Sequence, residues 1–111
     1  MPEDVKQTCL WLARGYERRK QEYRNHPSAR SERQAQELRR VEAVEQALVS
    51  VGADIQAEEV REQLRKAILL NIESGRAYPY ERLGVEGVSR PDFYRRKDRF
   101  LADIAAYLGM L

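Results

Sequence analysis

Apolar side chains recur along this chain at intervals of three and four, the spacing that lines up one face of an α-helix. Val5, Cys9, Leu12, Tyr16 and Tyr23 form the first such stripe, and Arg18, Arg19, Lys20 and Arg24 fall to its sides. Pro2, Glu3 and Asp4 suit its start, because proline tolerates the first turn and carboxylates favour the positive end of the helix dipole. The pattern breaks in RNHPSARSE, where Pro27 disfavours helical geometry at His26 and Ser28 or Ser31 can cap a new start. Leu38, Val41, Val44, Leu48, Val51 and Ile55 then predict a second helix from about Ser31 to about Val51. Two long helices joined by a short loop predict an antiparallel hairpin.

Gly52 marks the next break and Asp54 is a candidate cap. Val60, Leu64, Ala67, Ile68 and Ile72 predict a third helix ending near Ser74 and Gly75. Its tail, AILLNI, is apolar on more than one side, as expected of a helix packed between the hairpin and the C-terminal segments. Tyr78, Pro79 and Tyr80 open a short helix of about six residues that reaches Leu83 and is closed by Gly84. Ser89 and Asp92 have capping-box spacing, with Pro91 harmless in the first turn of a last helix. Phe93, Lys97, Phe100, Leu101, Ile104 and Leu108 face inward along it, the Lys97 stem covering apolar surface. The predicted fold is all-α: a helical hairpin over residues 1–53 packed on a tri-helical helix-turn-helix over residues 54–111, the two forming one continuous domain.

Composition narrows the class. A chain of 111 residues with 34% charged and 8% aromatic side chains fits one small helical domain. Cys9 is the only cysteine, which rules out an intrachain disulfide and fits a reducing cytoplasm. The opening MPEDVKQTCLWLARGYERRK lacks the basic and then unbroken apolar pattern of an export signal, and no run has the length of a membrane span. Catalysis finds no support: His26 is the only histidine, Cys9 has no evident base, and neither a Gly-rich phosphate loop nor paired metal ligands occur. Glu58, Glu59 and Glu62 sit near a helix start, where they serve the dipole. A non-enzymatic protein without cofactor or metal is expected.

Lysine and arginine number 20 against 18 acidic residues, so the net charge of +2 argues for nothing by itself, and placement decides. From Arg90 to Arg99 five basic residues stand against two acidic ones, a local balance of +3 that leaves the rest of the chain slightly acidic. Asp92, Arg95, Arg96 and Arg99 are spaced i, i+3, i+4, i+7, opposite the phenylalanines. Three arginines on one outward stripe of a last helix have the chemistry for guanine edges and phosphates. The free N–H groups from Ser89 to Asp92 add a further phosphate contact. The plainer alternative is a solvated face in which Arg95 or Arg96 pairs with Asp92 or Asp98. The like-signed trio weighs against it. Phe93 anchors the helix, Tyr94 is either buried or a rim contact to phosphate, and Tyr78 and Tyr80 pack. Trp11 is either the edge of the hairpin core or an exposed dimer contact.

The run VSRPDFYRRKDRFLADIAAYLG resembles the C-terminal end of phage late-gene transcriptional regulators of the RinA and ArpU kind, which are similar to sigma factor region 4. Their Ser-Arg-x-x-Phe-Tyr-Arg motif, which opens the recognition helix, is matched in order by Ser89, Arg90, Phe93, Tyr94 and Arg95. Tyr80 to Leu83 looks like the short helix before it. The resemblance spans about residues 60–111, and the segment Gly84 to Val88 departs from it in being longer than a tight helix-turn-helix turn. It implies a sequence-specific regulator of phage or prophage origin that reads double-stranded DNA in the major groove. Ser89, Arg90, Tyr94, Arg95, Arg96 and Arg99 are its expected contacts. RNA polymerase is a second candidate partner, and a homodimer through the first two helices is expected. The alternative is a helical interaction protein, a packaging or polymerase-binding factor, whose basic stripe meets an acidic protein surface.

Overall fold

The first apolar stripe folds as two helices, α1 (Glu3–Arg14) and α2 (Tyr16–Asn25), with Gly15 between them. In this computed structural model residues 1–25, 32–75 and 78–111 are described, so the loop containing His26, Pro27, Ser28 and Ser31 lies outside the described residues. Backbone hydrogen bonds run through the junction, from Gly15 N–H to the Trp11 carbonyl (3.1 Å) and from Arg19 N–H to the Gly15 carbonyl (3.0 Å). The reason for glycine is Arg19. Its guanidinium folds back over the junction, donates to the Leu12 carbonyl at 3.0 Å, lies 4.1 Å from the Trp11 ring centre and meets Glu37 at 3.5 Å. A Cβ on residue 15 would sit 2.7 Å from Arg19 Nη1. Arg19, which the spacing puts to the side of the apolar stripe, is therefore only 7% exposed.

Gly15→Ala sets two effects against each other. Alanine gains about 1 kcal/mol of helix propensity, but displacing Arg19 forfeits a charged buried hydrogen bond worth about 1.5–3 kcal/mol and a ring contact. A lower urea midpoint is expected. In an Arg19→Met background the same Gly15→Ala change should be stabilising, and a double-mutant cycle measures the difference.

α2 and α3 (Glu32–Ser50) form the antiparallel pair, joined by Tyr16 Oη donating to Glu45 (3.2 Å), Lys20 against Glu45 (3.8 Å) and Arg19 against Glu37. α1 takes a different place from the one predicted. Its main neighbours are α4 (Glu58–Ser74) and α6 (Arg90–Tyr107), and Cys9, Leu12, Ala13 and Tyr16 are all buried. The predicted dimer seam along Val5, Cys9, Leu12 and Tyr16 is thus largely used up within the chain, although Trp11 stands half-exposed. One core joins α1, α3, α4 and α6, including Val44, Leu64, Ile68, Ile72, Phe93, Phe100, Leu101 and Ile104.

α4 begins later than predicted, after Ala57, which supplies no side-chain cap. Asp54 is not the cap; it lies in the preceding loop, which Arg61 braces through the Ile55 carbonyl (2.8 Å), while Arg65 ties α4 to the end of α3 through the Val49 carbonyl (3.1 Å). α5 (Tyr80–Leu83) has four residues and ends at Gly84, whose φ of 64° is the left-handed cap conformation glycine adopts without strain. Tyr80 fixes the longer turn, donating from Oη to the Val88 carbonyl and packing its ring 5.6 Å from that of Phe93. α6 makes its main approaches to α3 and α1, whereas α4 makes its main one to α1. The predicted tri-helical module consequently does not stand apart, because α1 supplies a surface shared by α4 and α6. Among the described residues there is no strand, no helix is long and apolar enough to cross a membrane, and no cluster is placed to hold a metal ion.

Candidate nucleic-acid interface

Ser89 caps α6 as its spacing predicts, its Oγ accepting from Asp92 N–H at 3.3 Å, with Pro91 in the first turn. The other half of the capping box is diverted. Asp92 turns its two oxygens to Arg95 (3.2 Å) and Arg96 (3.1 Å). The burial of Phe93 and Phe100 fixes the rotation of α6, so Arg95 and Arg99 project outward, their side chains 75% and 80% exposed. Arg99 pairs with Asp103 at 3.3 Å, and Arg90, 61% exposed, pairs with Glu81 of α5 at 2.9 Å.

Arg96 departs from the predicted outward trio. Its side chain is 20% exposed and folds across to the loop between α3 and α4, where Nη1 and Nη2 each meet an oxygen of Asp54 at 2.8 Å. The fork geometry of a guanidinium on a carboxylate is the strong, directional form of this pair. It holds the Asp54 carboxyl down from the usual 3.8 to about 2, and the Arg96 guanidinium well above its usual range. A groove of about 370 Å³ lies between residues 50–54 and α6, bordered by Arg95 and Arg99 as well as by this pair. Arg96 therefore acts as a strut that sets how far α6 stands from that loop.

The strut has a pH signature. Because the carboxyl of Asp54 is more acidic folded than unfolded, the unfolded chain takes up the proton first as pH falls. The stability difference between the wild type and Asp54→Asn should be constant at neutral pH, shrink as pH falls through the window between about 3.8 and about 2, and be lost only below about 2. Urea unfolding of both proteins across that range measures it.

Tyr94 is half-buried: its ring meets Phe93 edge-on at 5.3 Å and its hydroxyl accepts from Tyr80 N–H at 3.4 Å, which ties α6 to α5. The Arg90 guanidinium lies 5.1 Å from the centre of that ring. Of the six residues expected at a DNA surface, Arg90, Arg95 and Arg99 are outward cations, Ser89 is a cap at the same end of the helix, Tyr94 is chiefly packing, and Arg96 is a strut. Asp54 and Asp103 shape this surface without having been anticipated in that role. Asp103 carries a local signal, four residues beyond Arg99; Asp54 carries none, being 42 residues from Arg96. No protein-family model matches the chain, and no curated protein or solved structure matches it either.

Proposed function

We propose that this protein is a double-stranded DNA-binding transcriptional regulator that presents the first half of α6 to the major groove. The reading rests on one observation above all: Arg95 and Arg99 are exposed on a long helix whose opposite face is anchored by fully buried phenylalanines, and Arg90 is exposed at the N-terminus of the same helix. Their carboxylate partners Glu81, Asp92 and Asp103 do not disqualify them. Surface pairs of this kind are worth about 0–1 kcal/mol, so phosphates or guanine edges can displace them. Ser89 and the first N–H groups of α6 offer a phosphate contact beside them. The phage or prophage origin rests on the resemblance of about residues 60–111 alone. Fluorescence anisotropy with a random duplex over a salt series tests the reading: affinity should fall steeply as salt rises.

A second reading is favoured by the same pairs, since each exposed arginine already holds a carboxylate and an acidic protein surface, such as one on RNA polymerase, offers more of them. Salt-insensitive or absent DNA binding would select it. One α6 offers few base contacts, so the proposal includes two copies on paired half-sites. With the first stripe buried, the seam falls on groups the fold leaves outside, Trp11 among them. Sedimentation at micromolar concentration should show a dimer, free or on duplex DNA; a monomer in both states would remove the palindromic site from the proposal.

A further inference from the structure

A groove of about 530 Å³ lies between α3 and the pair α1 and α2, and no residue of α6 lines it. Trp11, Tyr23, Leu38 and Val41 give it an apolar lining. Val41 is buried, whereas Trp11, the only tryptophan, is 52% exposed. That ring is pinned rather than loose. The Arg19 guanidinium lies 4.1 Å from its centre and is itself fixed by the Leu12 carbonyl (3.0 Å) and Glu37 (3.5 Å). A large aromatic surface already held in place costs little ordering entropy to cover.

Arg18 and Arg33 line the same groove, are exposed, and make no hydrogen bond or ion pair among the described residues. This sets them apart from Arg90, Arg95 and Arg99, each of which already holds a carboxylate. Arg18 belongs to the Trp11 end of the groove. Burial first of all lowers the pKa of Arg19, Glu37 opposes this, and the Arg18 charge adds to the lowering, so Arg18 stands within electrostatic reach of the guanidinium on Trp11. The surrounding sequence has the same sign: from Tyr16 to Arg40 eight basic residues stand against four acidic ones, a balance of +4 against +2 for the whole chain.

An apolar groove with unclaimed cations beside it is complementary to a chain that carries apolar anchors and carboxylates together. We infer that this groove docks an acidic segment of a partner protein, which sets an aromatic or aliphatic side chain against Trp11, Leu38 and Val41 and gives carboxylates to Arg18 and Arg33. Single-stranded nucleic acid also combines stacking with charge. Glu22 and Glu37 line the groove too, however, and a peptide can place neutral residues beside them, whereas a backbone with a phosphate at every residue cannot. The site uses none of the α6 arginines, so its failure would leave the major-groove reading untouched. Trp11 is shared with the dimer seam proposed above, so the acidic segment and a second copy compete for it.

The test uses the full chain without DNA and a synthetic probe, acetyl-Asp-Glu-Asp-Phe-Glu-Asp-Leu-Leu-Asp-Glu-amide, followed by the fluorescence of Trp11. A saturable change at micromolar peptide is expected. Three comparison probes should each bind at least about tenfold more weakly: the peptide with serine for Phe and Leu, the peptide with Asn and Gln for its acids, and oligothymidylate. Arg18→Gln combined with Arg33→Gln should weaken the peptide about tenfold or more, and by more than Arg95→Gln with Arg99→Gln, which removes the same charge from α6. The absence of a saturable change, equal or tighter binding of any comparison probe, or an equal loss in the two double variants would overturn the inference. A sedimenting dimer that the peptide neither binds nor dissociates would give the groove to the second copy instead.

Discussion

Phe100→Ala is expected to lower the melting temperature by about 10–20 °C, because truncating a fully buried phenylalanine costs about 3–5 kcal/mol in a chain of this size. The side chain is 1% exposed on the face of α6 that packs toward α3 and α1. A domain of this kind has only about 5–15 kcal/mol to lose. The shared core gives the result a second content. Trp11 sits in α1, far along the chain from residue 100, so its fluorescence should report the same shifted transition as far-UV circular dichroism. If Trp11 fluorescence kept its wild-type transition while the helical signal moved, the chain would consist of two independent units. A melt indistinguishable from wild type would mean that the buried and exposed faces of α6 had been exchanged.

The helices were legible in the sequence because periodicity states which face of a helix is buried, and Phe93, Phe100, Leu101 and Ile104 are indeed buried. Periodicity does not state against what. Cys9 and Leu12 are equally compatible with a hairpin partner, a second subunit or the place they take on α1 beside α4 and α6, while Tyr16, on the same stripe, goes with α2 against α3. The interruption at Gly15 was hidden for a related reason: the apolar spacing continues across it, and the need for glycine comes from the Arg19 side chain folding back in space. At the candidate interface the Ser89 cap was readable, while the pairing of Asp92 with Arg95 and Arg96 belonged to the solvated-face alternative that the like-signed arginines weighed against. The long-range pairing was not readable, since nothing in the composition of residues 50–57 marks Asp54 as the partner of a guanidinium on α6.

That single long-range pair changes what the arginine stripe can do. Three adjacent outward guanidiniums would repel one another, and the fold relieves this by turning Arg96 away and giving Arg95 and Arg99 a carboxylate each. The cations left for a partner are Arg95 and Arg99 on one exposed face and Arg90 at the N-terminus of the helix, while Arg96 is committed to fixing the helix they stand on. Position and charge are thereby separated into different side chains, and substitution can separate them too.

Arg90→Ala, Arg95→Ala and Arg99→Ala combined are expected to reduce duplex affinity by about a hundredfold or more at physiological salt, with the helical content unchanged because all three project into solvent. Taken singly, each phosphate-contacting arginine should lower the slope of log affinity against log salt by about one, whereas a base-reading one should cost about 1–3 kcal/mol and relax one position of the site. Asp54→Asn supplies the contrast. It frees the Arg96 guanidinium and raises the net charge, so binding would tighten if Arg96 acted as a groove contact. Acting as a strut, Arg96 instead loses its anchor, and affinity should fall although no positive charge has been removed. Full affinity in the triple variant would sink the groove assignment, and tighter binding by Asp54→Asn would return Arg96 to the DNA contacts.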